Sequence, residues 1–159
     1  MFWIVWSARL SFALYSVGQG LRWRTPESRI ARLTWTAGCA LLAVHILLAF
    51  GLAHGWSHVA AYDATARRTF EYTGWNSGMG LYFNEITLAL WGVDVLWSWS
   101  VFKRPRWWTV LVEVVLAFMF FNAVCVFAPF ESRVIGGVIF AGLTGVGVFA
   151  LLKRNSLRK

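Results

Sequence analysis

Five stretches of the chain stay apolar for roughly the 20 residues a helix needs to cross a bilayer. They are residues 2–20, 33–54, 82–101, 108–128 and 134–152. The connections between them are short, except for residues 55–81, where polar side chains dominate. The pattern predicts an all-α polytopic membrane protein. A bundle of about five transmembrane helices would form a single domain over residues 1–159, with no room for a separate soluble unit.

Each stretch has its own irregularities. Residues 2–20 carry Arg9, Ser7, Ser11 and Ser16 among apolar neighbours. No basic residue precedes the run and no A-x-A-like site follows it, so a retained first span is expected rather than a cleaved signal. In the following loop Thr25 suits a helix N-cap and Pro26 a first helical position, which predicts an interfacial helix leading into span two. Beyond Ala53 the sequence keeps helical character to a first plausible stop at Gly74. The second helix is therefore expected either to project past the membrane or to bend at Gly51 or Gly55. In either case His54, His58, Thr65, Arg68 and Tyr72 would share a stripe. Pro105 ends the third span, and the short connection makes spans three and four antiparallel neighbours. In the last span Gly137, Ala141 and Gly145 form a ridge of small residues at intervals of four, suited to close packing within the molecule or against a second subunit.

Composition agrees with a bilayer as solvent. Of 159 residues 58% are hydrophobic and 14% charged, the mean hydropathy is +0.58, and there are eleven tryptophans. The net charge of +8 raises the question of nucleic acid, which the positions of the cations answer. With the N-terminus outside, eleven of the fifteen Lys and Arg residues fall on the inner side: Arg22, Arg24, Arg29, Arg32, Lys103, Arg104, Arg106, Lys153, Arg154, Arg158 and Lys159. Arg67, Arg68 and Arg133 fall outside, and Arg9 lies within the first span. This is the positive-inside distribution, with the C-terminus cytoplasmic. Basic loops facing anionic membrane lipids account for it, and no nucleic-acid surface is expected. The chain reads as a multi-pass protein, of the cytoplasmic membrane if bacterial. Cys39 and Cys125 are expected at different depths and form no disulfide framework.

Candidate chemistry falls in two places. At the outer boundary, His54 and His58 are four apart, a spacing that puts two imidazoles on one helix face, and Glu85 could supply a third ligand to a divalent metal, with Asp63 a less favourable donor. The H-x-x-x-H spacing resembles one histidine box of the membrane fatty-acid desaturases and hydroxylases. The resemblance covers only these five residues. Those enzymes hold two irons with several boxes, and one histidine is all that remains here, which argues against membership. Gly55 stands where a membrane metalloprotease of the H-E-x-x-H type has its glutamate.

Deeper, Arg9, His45, Asp94 and Asn122 form the expected intramembrane polar cluster, with Met119 at the depth of His45. Ionisable groups at such depth either neutralise one another or serve a transport or catalytic role. Asp94 paired with His45 or Arg9 is the structural reading. A proton relay through Asp94 and His45, a haem held by His45 and Met119, and a substrate cavity lined by Trp91, Trp97 and Asp94 are the functional ones. His45 and His54 lie about 13 Å apart along one helix, too far for a bis-histidine site. Ser57 stands between two histidines in sequence only, and there is no G-x-S-x-G, phosphate-binding glycine loop or CxxC pair. The expected function is thus a small non-catalytic or accessory membrane subunit, packing against itself or a larger membrane complex. The alternatives are a metal- or haem-binding membrane enzyme or electron carrier, then a proton or small-solute carrier using Asp94.

Overall fold

The computed structural model describes residues 2–100 and 102–126, together with 134, 137, 138, 141 and 142. Five α-helices and no strand occur among the described residues up to 126: α1 (Phe2–Arg24), α2 (Arg29–Leu48), α3 (His58–Thr73), α4 (Gly80–Trp99) and α5 (Arg106–Phe121). Both α2 and α5 run on into a wider π-helical turn, Ala49–Ala53 and Asn122–Val126. With those extensions, Arg29–Ala53 and Arg106–Val126 are long and apolar enough to cross a membrane. Of the fifth expected span, Val134, Gly137, Val138, Ala141 and Gly142 are helical. Gly145, and with it the completed Gly137/Ala141/Gly145 ridge, lies outside the described residues.

The serines that make the first segment only moderately apolar are its packing surface. Ser7, Ser11 and Gly18 follow one face of α1 and are buried against α2. The Ser11 hydroxyl donates to the Gly38 carbonyl at 2.9 Å. Small side chains let two helix axes approach closely, and a hydroxyl can then reach the facing backbone. Gly38 continues the same logic toward α4: a Cβ there would lie 2.9 Å from the Trp91 ring. Tyr15, Trp35, Trp91 and Phe120, one ring from each of α1, α2, α4 and α5, fill the resulting core. Tyr15 stacks on Phe120 with centroids 4.6 Å apart, and Trp35 meets Trp91 at 5.1 Å. Around this core the outer faces of all four helices are apolar, with Leu33, Leu47, Leu96, Val110, Val114 and Phe118 each at least half exposed.

The first loop differs from expectation. Thr25 does not cap a helix starting at Pro26. Its hydroxyl donates back to the Leu21 carbonyl, and the Ser28 N–H closes a turn onto the Thr25 carbonyl. Ser28 then precedes α2, which starts at Arg29. The bend expected near Gly51 or Gly55 is present at the second position. His54 leaves the helical region, and Gly55 and Trp56 both take left-handed backbone, with φ of 56° and 61°. Trp56 folds its ring back over Gly51. Ser57 caps the new helix by accepting from the Ala60 N–H, and α3 ends where expected, at a left-handed Gly74. At the entrance to α4, Gly78 passes so close to Tyr62 that a Cβ would sit 2.6 Å from its carbonyl oxygen and ring.

These close approaches generate a test. Gly38→Ala and Gly78→Ala should each lower stability by about 1–3 kcal/mol through overpacking, read as the thermal midpoint in mild detergent. Gly92→Ala, with open space around the added carbon, should be neutral or stabilising by up to about 1 kcal/mol.

Candidate functional site

Asp94 is the centre of the polar structure. Its side chain is fully buried, and no carboxylate tolerates that without charged or hydrogen-bonding partners. Four side chains supply them. Arg104 Nη1 donates to Oδ1 at 2.8 Å and to Oδ2 at 2.9 Å. Arg22 Nη1 donates to Oδ2 at 3.1 Å. The indole N–H of Trp35 reaches Oδ2 at 3.0 Å, and that of Trp108 reaches Oδ1 at 3.1 Å. The Arg22 guanidinium also lies over the Trp35 ring, its central carbon 4.0 Å from the centroid. The Glu113 carboxylate on α5 is near enough for its charge to act on both Arg22 and Tyr15.

Each partner arrives from a different place. Arg22 is in the last turn of α1, Trp35 in the second turn of α2, Arg104 in the connection between α4 and α5, and Trp108 in the first turn of α5. One carboxylate therefore ties together four helices at one end of the bundle. The α4 helix ends at Trp99, five residues beyond Asp94, or about 7–8 Å at 1.5 Å per residue. Close by, the Trp99 indole N–H donates to Thr36 Oγ1 at 3.0 Å and fastens the same end of α4 to α2.

This arrangement corrects the expected grouping of Arg9, His45, Asp94 and Asn122. Asp94 sits near the helix ends and takes one cation from the last turn of α1 and one from the α4–α5 connection, whose long guanidinium side chains can reach it. His45 has a separate environment: its Nδ1–H donates to the Ile4 carbonyl at 2.9 Å, with the Ser7 hydroxyl 3.4 Å from the same nitrogen. Arg9 lies over the Trp6 ring, and Asn122 donates to the Phe118 carbonyl within its own helix. Met119 is half-buried on α5. Trp91 and Trp97 have different surroundings. Trp91 belongs to the core, while Trp97 borders an open groove of about 360 Å³ with Val93, Leu96, Ser100 and Phe102. Among the described residues, two buried side-chain polar atoms are left without a partner, Gln19 Oε1 and Trp91 Nε1.

The outer group is also smaller than expected. His58 Nε2 stands 3.2 Å from Glu85 Oε1, joining α3 to α4. Phe50 meets the imidazole edge-on and Tyr82 stacks on it. His54, however, lies on the far side of the left-handed turn, so the four-residue spacing no longer places two imidazoles on one helix face. Among the described residues no three His, Cys, Asp or Glu side chains converge to hold a metal ion. The His54/His58/Glu85 set is thereby reduced to an exposed His58–Glu85 pair, and Asp63 is an exposed residue of α3.

Sequence reasoning missed Arg22, Arg104, Trp35 and Trp108. Arg22 and Arg104 were counted among the inner loop cations, and the two tryptophans belong to residue types expected at any membrane boundary. A signal did exist: Arg104 follows Asp94 by ten residues across a short connection, within reach of a side chain folding back. No protein-family model, curated protein or solved structure matches this chain.

Asp94→Asn leaves two guanidiniums without their counter-ion and should cost about 3–5 kcal/mol. Arg104→Gln, which leaves Arg22 and both indoles in place, should cost less. His58→Ala breaks an exposed pair and should change stability by no more than about 1 kcal/mol. Urea unfolding in detergent, followed by tryptophan fluorescence, orders the three.

Proposed function

We propose that the chain is a multi-pass integral membrane protein with the N-terminus outside and the C-terminus cytoplasmic, and that it acts as a small non-catalytic or accessory subunit. The membrane part of this reading is supported by Arg29–Ala53 and Arg106–Val126, whose long side chains point largely away from the core. On this reading α1, α4 and the segment after residue 133 complete a bundle of about five spans. The Arg22/Arg104 end of the bundle faces the cytoplasm.

The observation that carries the non-catalytic reading is the saturation of Asp94. A proton or solute carrier needs a carboxylate that exchanges with water, whereas Asp94 has no exposed surface and accepts from four side chains at once. Its chemistry is that of a clamp. On this reading the small residues Gly137, Ala141 and Gly145, four apart in the sequence, would serve docking to a second copy or a larger membrane complex.

One observation favours haem as the second reading. His45 donates Nδ1–H to a backbone carbonyl, which fixes the tautomer and leaves Nε2 with its lone pair, the state in which histidine binds iron.

Alkaline carbonate should leave the full-length protein in the membrane pellet, and a C-terminal reporter should be cytoplasmic. Release into the supernatant, or an outside reporter, sinks the reading. Protein purified in mild detergent should lack a Soret band, and Asp94→Asn protein that still folds should leave proton flux in liposomes no different from that of the unaltered protein. A Soret band abolished by His45→Ala would instead establish the haem reading.

A further inference from the structure

We propose that the Asp94 end of the bundle binds an anionic phospholipid, with its phosphate on the free N–H edge of Arg104, in the field of Arg22, and an acyl chain in the groove beside Trp97. The proposal rests on the membrane reading above and goes beyond it in assigning a headgroup site.

The geometry begins with the two guanidiniums. Both Nη1 atoms bond the same carboxylate oxygen, Asp94 Oδ2, at 3.1 and 2.9 Å, so they lie no more than 6.0 Å apart. Each residue spends only that one nitrogen on Asp94. The Arg104 side chain keeps 21% of its surface exposed, while Arg22, at 8%, contributes its charge from a buried position. A guanidinium held by one nitrogen still offers a fork of N–H donors, and forks suit phosphate oxygens. Asp94 orients the pair.

Charge points the same way. Residues 22–32 and 103–106 carry seven cations at this end of the bundle: Arg22, Arg24, Arg29, Arg32, Lys103, Arg104 and Arg106. Three acids face them. Glu27 is bonded to Arg32, Asp94 is shared by Arg22 and Arg104, and Glu113 acts on Arg22 from α5. Four positive charges therefore remain unmatched, and Arg24, Arg29, Lys103 and Arg106 are exposed. Such a surplus selects an anionic headgroup over a zwitterionic one, whose amine it repels.

The groove selects a lipid over a free phosphate. Trp97 lies against Trp108, with ring centroids 5.6 Å apart, and Trp108 is itself a partner of Asp94. The open apolar groove of about 360 Å³ thus begins one aromatic ring away from the guanidinium pair.

The test uses the full-length protein in mild detergent, with phosphatidylglycerol, phosphatidylcholine or inorganic phosphate added separately. Phosphatidylglycerol should raise the unfolding midpoint by about 5 °C at a hundredfold excess over its Kd. Phosphatidylcholine and phosphate should give less than half of that. Arg104→Lys, which keeps a cation on Asp94 but loses the fork, should lose most of the selective shift. Equal shifts from the two lipids, an equal shift from phosphate, or a full shift in Arg104→Lys overturns the proposal. If Arg104→Lys does not fold, mass spectrometry of lipid carried through purification of the unaltered protein decides: enrichment in anionic phospholipid supports the site, and bulk membrane composition overturns it. Carbonate extraction fails only if the membrane reading itself is wrong, so the two failures are distinguishable.

Discussion

A carboxylate withdrawn from water must be neutralised and hydrogen-bonded, and much of this fold can be understood as the means by which Asp94 is satisfied. The acid fixes the axial position of α1 through Arg22, the facing of α2 through Trp35, and the path of the chain from α4 into α5 through Arg104 and Trp108. Apolar packing adds shape to these positions, and the polar contacts add direction. Those contacts are charge-assisted hydrogen bonds at 2.8–3.1 Å to two indoles and two guanidiniums.

Above the clamp, the bundle relies on shape. Serine and glycine bring α1 against α2, and the space between those two helices, α4 and α5 is filled by Tyr15, Trp35, Trp91 and Phe120. Trp35 belongs to both systems, with its indole N–H on Asp94 and its ring against Trp91. Polar anchoring and aromatic packing are therefore coupled through one side chain. At the opposite end of α4 the ties are lighter. The exposed His58–Glu85 pair and the close passage of Gly78 past Tyr62 hold α3 in place.

The helices were legible because long apolar runs bounded by Gly, Pro and basic residues permit little else. The end of α3 at Gly74 and the break near Gly55 followed from glycine's freedom in left-handed backbone. That Trp56 shares this conformation was not legible, because it depends on the ring folding over Gly51, a contact made only in the folded chain. In the polar site Asp94 itself stood out as an acid among apolar residues. Its partners did not. Counting depth from span boundaries assigned it to mid-bilayer, alongside His45, and treated Arg22 and Arg104 as loop charges. Helix boundaries displaced by a few residues at α1 and α5, together with the reach of an arginine side chain, changed the pairing. The spacing of His54 and His58 is interrupted for a related reason: the chain breaks at Gly55 and Trp56, and a four-residue spacing puts two side chains on one face only in an unbroken helix.

The separation of the clamp's parts along the chain sets the order in which they are made. Arg22 is made 72 residues before Asp94, roughly 4–14 seconds earlier at ordinary elongation rates. In that interval α1 and α2 can already pair through Ser11 and Gly38, leaving Arg22 without its counter-ion. Asp94 enters to meet a waiting cation, and Arg104 and Trp108 follow within 14 residues to close over it. A nascent chain arrested short of residue 104 would hold the acid without its closing arginine. The finished clamp thus requires the chain only as far as Trp108, in the first turn of α5.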